Sequence, residues 1–133
     1  FVFWIQSFNT TMSKEDNKTK GDKGEDYACQ YLLQKGYRIL KRNFRCRFGE
    51  IDIMARDGES LVFIEVKTKT SDEYGYPEEM VDDAKIKKIE GVMDYVAGSL
   101  PPKKDFVLRI DVVAVELDDM GMLQDLRHIV NFT

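Results

Sequence analysis

The run Leu61-Val62-Phe63-Ile64-Glu65-Val66-Lys67 constrains this chain more than any other stretch. Alternate side chains of an extended strand share a face, so Leu61, Phe63, Glu65 and Lys67 lie on one side and Val62, Ile64 and Val66 on the other. Both faces are largely apolar, the pattern of a strand covered on both sides. A carboxylate and an ammonium therefore stand beside a core, where each needs a partner.

The rest of the chain supplies the cover. From Gly21, Tyr27, Ala28, Tyr31 and Leu32 recur at helical spacing, Lys35 sits in the last turn and Gly36 ends the helix. Tyr37 to Phe44 reads as a strand, followed by the strand around Glu50-Ile51-Asp52-Ile53-Met54 and a turn at Asp57-Gly58 that leads into the central strand. Pro77-Glu78-Glu79 has the proline and acidic first turn of a second helix, with Val81, Ala84, Ile89, Val92, Met93 and Val96 as its buried stripe. Pro101-Pro102 breaks the chain, Phe106 to Glu116 is β-rich, Asp118-Asp119-Met120-Gly121 turns, and Leu126 to Phe132 is the last strand. The order α-β-β-β-α-β-β predicts an α/β domain, and 133 residues are one domain's worth of chain. That domain is expected over residues 21–133, after a disordered polar tail over 1–20. Phe1 to Phe8 is too short for a signal-peptide core, so Met12 is expected to be the natural start and residues 1–11 an upstream extension.

Composition excludes several function classes. No run approaches the roughly 18 apolar residues that cross a bilayer, so no membrane is expected as partner. Cys29 and Cys46 lack metal-ligand spacing, and the single histidine, His128, completes no zinc set with them; a reducing cytoplasm is the expected compartment. A net charge of -4 removes any general affinity for polyanions and leaves only a local patch. One such patch exists: between Asp26 and Glu50 there is no acid, yet Lys35, Arg38, Lys41, Arg42, Arg45 and Arg47 occur there, interleaved with Tyr37, Phe44 and Phe48. This suits a phosphate backbone, with Lys85 and Lys88 of the second helix as further contacts, and equally suits an exposed edge strand guarded by charge.

The acids carry the chemistry. A two-residue turn at Asp57-Gly58 sets Arg56 opposite Glu59, Asp52 opposite Phe63 and Glu50 opposite Glu65, and makes Asp52 and Glu65 diagonal neighbours about 7 to 8 Å apart. Glu50 is a third acid nearby, and Glu25 rims the inward face of the first helix. Crowded carboxylates repel unless a divalent cation holds them charged, and an all-oxygen set favours Mg²⁺ or Mn²⁺. Plainer readings stand beside this one: Glu65 and Lys67 as a structural ion pair, Glu50 as a solvated cross-strand partner, Arg109 with Asp111 as a structural pair, and His128 as an ordinary sheet residue. Tyr27 and Tyr31 read as core, and Tyr74-Gly75-Tyr76 as a loop that stacks on bases or caps the sheet.

Gly49-Glu50-Ile51-Asp52, a hairpin, then Glu65-Val66-Lys67, with Glu25 on the preceding helix, resembles the PD-(D/E)XK nuclease superfamily in its resolvase-like form. The wider set is similar to the YraN-like family of bacterial proteins: Gly24-Glu25, Ala28, Gly36-Tyr37, Asn43, Gly75, Pro77, Lys85, Arg109-Ile110-Asp111-Val112 and His128-Ile129-Val130-Asn131 join those motifs. The resemblance implies a restriction-endonuclease-like fold, a central mixed sheet flanked by helices. It also implies metal-dependent hydrolysis of a phosphodiester in branched or single-stranded DNA, in repair or recombination. On this resemblance Asp52 and Glu65 match the acids that hold Mg²⁺ together with the carbonyl of Val66. Lys67 matches the lysine that orients the attacking water or stabilises transition-state charge, and Glu25 the extra helix acid of resolvases. Ile51 stands where the superfamily's usual proline precedes the aspartate. A homodimer is implied by analogy, because a junction cutter makes two symmetric cuts. The alternatives are a nucleic-acid-binding module that keeps the fold without cutting, and an adaptor whose carboxylate cluster is structural.

Overall fold

The computed structural model describes residues 19–70, 75–101 and 106–132. Residues 1–18 of the tail expected over 1–20, with the whole upstream extension, and Tyr74 of the expected stacking loop lie outside the described residues, while Thr19 and Lys20 of that tail are ordered as the start of a helix. The first helix, α1 (Lys20–Gln34), opens one residue before Gly21 because Thr19 caps it: its hydroxyl accepts from the Asp22 amide, and the Asp22 carboxylate accepts from the Thr19 amide. Strands β1 (Arg38–Cys46), β2 (Gly49–Asp57) and β3 (Ser60–Thr70) follow as an antiparallel meander. After β3 come a 3₁₀ helix (Pro77–Met80), α2 (Asp83–Ala97), β4 (Val107–Leu117) and β5 (Leu123–Ile129).

Pro77 therefore starts a short 3₁₀ turn and not the expected long helix. Asp82, whose carboxylate accepts the Lys85 amide, is the cap that starts α2. Val81 is buried between the two elements, whereas Ala84, expected in the buried stripe, is exposed. Ile89, Val92 and Val96 form the stripe as read.

The five strands form one mixed sheet in the order β1-β2-β3-β4-β5, with β3 and β4 parallel across the α2 crossover and the other pairs antiparallel. This is the α/β, restriction-endonuclease-like arrangement, with a helix on each face of the sheet. On one face α1 packs Ala28, Cys29 and Leu32 over Val62, Ile64 and Val66; on the other α2 packs Ile89, Val92 and Val96 over Leu61 and Phe63. The period-2 reading of β3 is thus realised, with each helix covering one set of alternate residues. Among the described residues no helix is long and apolar enough to cross a membrane.

The β2–β3 turn differs from the expected one. Its central residues are Gly58 and Glu59, between Asp57 and Ser60, and not Asp57 and Gly58. Gly58 has φ 59° while Asp57 and Glu59 stay out of the left-handed region, so the glycine takes the first central position, as in a type II′ turn. The register slides by two residues: Arg56 pairs with Leu61 and Ile53 with Ile64, and Glu50 is not set against Glu65. A shift of two preserves side-chain parity, so the predicted faces survive the wrong partners.

Candidate functional site

Glu65 shares the α2-facing side of β3 with Leu61 and Phe63 and is 3% exposed. Its Oε2 lies 3.4 Å from Lys85 Nζ, delivered by the first turn of α2, and 3.7 Å from Lys67 Nζ on its own strand. Lys85, expected as a phosphate contact, is brought to Glu65 by helix packing that no local pattern encodes.

Asp52 meets Glu65 through a local irregularity of β2. The β2–β3 register ends at the pair Ile53 and Ile64, and the next residues on the two strands are Asp52 and Glu65. Ile53 and Ala55 belong to the α1-side core while Ile51 belongs to the α2-side core, although residues two apart in a regular strand share a face. The strand therefore turns over at Asp52. Asn43 of β1, flanked by the pairs Arg42–Ile53 and Phe44–Ile51, has φ 52°, the matching distortion on the neighbouring strand. Where the ladder stops, the Val66 amide donates to Asp52 Oδ2 at 2.8 Å. A strand residue's N–H and C=O point to the same side, so the Val66 carbonyl is turned toward the same fork between β2 and β3.

Electrostatics mark this fork. Burial first, and then the negative charge of Asp52, push the Glu65 carboxyl from 4.5 up to about 7, against the pull of Lys85 and Lys67. The Asp52 carboxyl is also raised, chiefly by burial, and it stands within hydrogen-bonding reach of Glu65, close enough for the two to share a proton. Glu25 comes from the opposite face of the sheet. Its helix lies close against β3, since a Cβ on Gly24 would sit 1.8 Å from Thr68 Oγ1. Burial and then Asp52 raise the Glu25 carboxyl to about 7.

The three acids are not equivalent. Glu25 is held by Arg42 at 3.4 Å, and the same guanidinium donates to Asp26 at 2.9 Å. Among the described residues no group of three or more His, Cys, Asp or Glu side chains is placed to ligate a single ion. What the fold brings together is the pair Asp52–Glu65, with Val66 beside it and Glu25 behind. Two carboxylates and one carbonyl are hard oxygen donors in the small number that suits Mg²⁺ or Mn²⁺, which retain waters and take further ligands from a phosphate.

The expected basic contacts divide. Arg42 is turned inward onto Glu25 and Asp26. Arg45 pairs with Glu50 across β1 and β2 at 3.5 Å, the solvated partnership considered for Glu50. Arg47 lies 4.8 Å over the Phe48 ring. Arg38 lines a shallow depression of about 260 Å³ with Gly36, Arg56 and Gly58, beside the β2–β3 turn and away from the acids. Lys41 is half-buried on β1, and Lys88 is exposed on α2.

A second polar cluster lies on β4, around Asp111, which pairs with Ile64. Asp111, 0% exposed, accepts from Arg109 Nε at 2.9 Å, the Tyr37 hydroxyl at 3.2 Å and the Asn131 amide at 3.0 Å, and lies 2.7 Å from His128 Nε2. His128 Nδ1 in turn meets the Tyr31 hydroxyl at 3.2 Å. Arg109 and Asp111 are the structural pair that was read. His128 is a sheet residue, but one oriented by residues 17 and 97 positions away.

Comparison with known proteins identifies the family. The family model described as "Uncharacterised protein family UPF0102" matches residues 24–115, from the turn of α1 that carries Glu25 to near the end of β4. The chain belongs to the UPF0102 family. The UPF0102 protein TTE1452 of Caldanaerobacter subterraneus subsp. tengcongensis is 43% identical over 122 residues, covering 90% of this chain and 98% of the relative. A UPF0102 protein of Geobacter metallireducens is 43% identical over 116 residues, covering 86% and 92%. One from Persephonella marina reaches 59% identity over 70 residues, covering 53% and 60%. This is the YraN-like family that the motifs resemble, and the matched span contains Glu25, Asp52, Glu65, Val66, Lys67 and Lys85.

Proposed function

We propose that the protein is a metal-dependent phosphodiester hydrolase of the endonuclease type that acts on branched or single-stranded DNA. The observation that carries this reading is the convergence of Asp52 and Glu65 at the fork between β2 and β3, with the Val66 main chain and two lysine ammoniums alongside. Structural ion pairs do not ordinarily set two carboxyls close enough to share a proton, and such perturbation by burial plus a like charge is a mark of functional sites.

Asp52, Glu65 and the Val66 carbonyl are the groups that would hold Mg²⁺ or Mn²⁺. When bound, such an ion supplies positive charge to the phosphoryl oxygens and acidifies nearby water. The protein's own part is positioning. The Val66 amide fixes the Asp52 carboxylate, and the stiffness of β3, paired with β4 along its whole length, fixes Glu65. Lys67 stands at the partly open edge of the site, where its ammonium orients the attacking water or neutralises charge building on the phosphate. Lys85 limits the protonation of Glu65, because its charge opposes the upward shift that burial and Asp52 impose. Attack by the water oxygen on phosphorus breaks one P–O ester bond, and the departing oxygen takes up a proton.

The test is a cleavage assay on a panel of branched, flap and single-stranded DNAs with Mg²⁺ or Mn²⁺, using Asp52→Asn, Glu65→Gln and Lys67→Ala as controls. Product from the wild type and its loss in all three variants is the expected result. No product across the panel with either ion would refute hydrolysis and leave the non-cutting binding module as the better account.

A further inference from the structure

Beyond the acids, α2 presents a flank whose composition differs from the rest of the helix. Ala84, Lys88, Gly91 and Tyr95 recur at spacings of four, three and four, so they form one stripe. That stripe faces the turn between β1 and β2. A Cβ on Gly91 would lie 3.6 Å from Phe48 Cβ, one on Gly49 would lie 3.7 Å from the Lys88 carbonyl, and the Phe48 and Tyr95 ring centroids are 5.9 Å apart. Both rings remain in contact with solvent, Phe48 at 45% and Tyr95 at 47% exposure.

Two half-exposed aromatic rings in contact at the margin of the α2-side core call for a reason. Their surroundings indicate one. Arg47 lies over Phe48 at 4.8 Å, Lys88 is exposed one helical turn from Lys85, and Lys85 reaches Glu65. The stripe carries no acid; Asp83, Glu90 and Asp94 project from other sides of the helix, and Glu50 is engaged by Arg45. Aromatic faces flanked by cations and free of carboxylates match a strand with exposed bases and a phosphate backbone. A duplex hides its base faces and has no use for the rings. The ten residue steps from Lys85 to Tyr95 span about 15 Å along the helix, roughly four nucleotides at the 3.4 Å spacing of a stacked strand.

We infer that Phe48 and Tyr95 form a stacking platform for an unpaired base of single-stranded DNA, whose backbone runs past Lys88 and Lys85 to the Asp52–Glu65 fork. This rests on the hydrolase reading for its destination but not for its chemistry, and it assigns the site a preference for unpaired over paired DNA. The motif was visible in part, since Arg47 and Phe48 end the basic aromatic run. Tyr95, the other half, lies 47 positions away on α2 and becomes its neighbour only in the fold.

The test is binding in EDTA, where no cleavage occurs, measured by fluorescence anisotropy of the full chain. The probes are a labelled 12-nucleotide mixed-sequence single strand, a strand of equal length made of abasic sites, and the matching duplex. Wild type is expected to favour the base-bearing strand over the abasic one by about tenfold, the range of one stacked base. The double variant Phe48→Ala/Tyr95→Ala is expected to lose that preference while keeping its affinity for the abasic strand, whose phosphates still meet Arg47, Lys88 and Lys85. Phe48→Tyr and Tyr95→Phe, which keep the rings and guard against loss of fold, are expected to retain it. Full preference in the double alanine variant, or equal binding of base-bearing and abasic strands by wild type, would overturn the platform. Cleavage by that same double variant at wild-type preference would overturn it while leaving hydrolysis intact; a platform without cleavage in Mg²⁺ or Mn²⁺ would leave stacking intact and remove hydrolysis.

Discussion

Glu65 and Asp111 are both buried acids on the two parallel strands at the middle of the sheet, yet their surroundings drive them in opposite directions. Asp111 is surrounded by donors, among them an arginine fork, a tyrosine hydroxyl, a histidine nitrogen and a main-chain amide, and these hold its carboxyl down at about 2 despite burial. Glu65 has two ammoniums at longer range and a second carboxyl beside it, and is pushed up to about 7. A satisfied buried charge is part of the architecture. A crowded one is, on the proposed function, where a cation would bind, and that proposal predicts that the two acids respond differently when removed.

The largest test of that contrast is to remove each acid in turn and measure urea unfolding. Asp111→Ala leaves Arg109 and the other donors facing an empty space, and is expected to cost about 3–5 kcal/mol, much of what a domain of this size possesses. Glu65→Gln removes a crowded charge and is expected to leave stability unchanged or raised, while product formation falls below about one hundredth, since even residues that only support ligands cost 10- to 100-fold. Equal destabilisation by the two substitutions would show that Glu65 is as structural as Asp111.

Stability against pH gives a second, smaller effect with a definite sign for each acid. The Glu65 carboxyl rises from 4.5 to about 7 on folding, so its contribution is present in full below about pH 4.5 and is lost as pH rises through 7. Glu25, also raised to about 7, acts in the same direction. Asp111 falls from 3.8 to about 2, so its contribution is present above about pH 4 and is lost as pH drops toward 2. Urea midpoints are expected to decline from pH 5 to 8, and Glu65→Gln is expected to flatten that decline without touching the acid side. A slope unchanged in Glu65→Gln would rule out the raised carboxyl.

Much of the contrast was legible in the chain and part was not. The two-faced pattern of Leu61 to Lys67 fixes which residues lie beneath which helix, because side-chain alternation survives any even error in register. That is why Leu61, Phe63 and Glu65 lie beneath α2 even though the turn was placed one residue early, whereas Asp52 meets Glu65 where β2 leaves the ladder. The same pattern has no bearing on which glycine-containing dipeptide makes the turn: Asp57-Gly58 and Gly58-Glu59 both qualify, and the positive φ at Gly58 decides between them. Beyond the Arg109–Asp111 pair, the Asp111 cluster escaped because its members come from α1, the residue before β1, β5 and the segment after β5, and long-range hydrogen bonds leave no periodic trace. The reversal of β2 at Asp52 escaped for the related reason that Asn43 shows its left-handed backbone only when β1 is laid against β2.

Divalent ions sharpen the comparison further. At pH 7.5 Mg²⁺ at tenfold excess over its Kd is expected to add about 1.4 kcal/mol, a rise of about 5 °C in Tm, because the ion binds the folded pair of carboxylates and not the unfolded chain. The double variant Asp52→Asn/Glu65→Gln is expected to show no rise, and Asp111→Asn to keep it relative to its own lower starting point. A full rise in the Asp52/Glu65 variant would place the ion elsewhere.

The smallest effect belongs to the outermost acid. Glu50 and Arg45 face each other across β1 and β2 at 3.5 Å, but Arg45 is 76% and Glu50 42% exposed, and pairs of that kind are worth about 0–1 kcal/mol because water screens the attraction and two long side chains must be ordered. Glu50→Gln is therefore expected to change stability by no more than about 0.5 kcal/mol. Its effect on Asp52 is more telling, because Glu50 adds to the negative charge that keeps the Asp52 carboxyl raised. Removing it is expected to lower the Asp52 pKa slightly, observable by carboxyl-carbon NMR titration, while cleavage survives within a few-fold. A loss of cleavage as deep as that of Glu65→Gln would move Glu50 from the rim of the site into it, and the division between crowded and satisfied acids would then have to be drawn around three carboxyls on β2 and β3 instead of two.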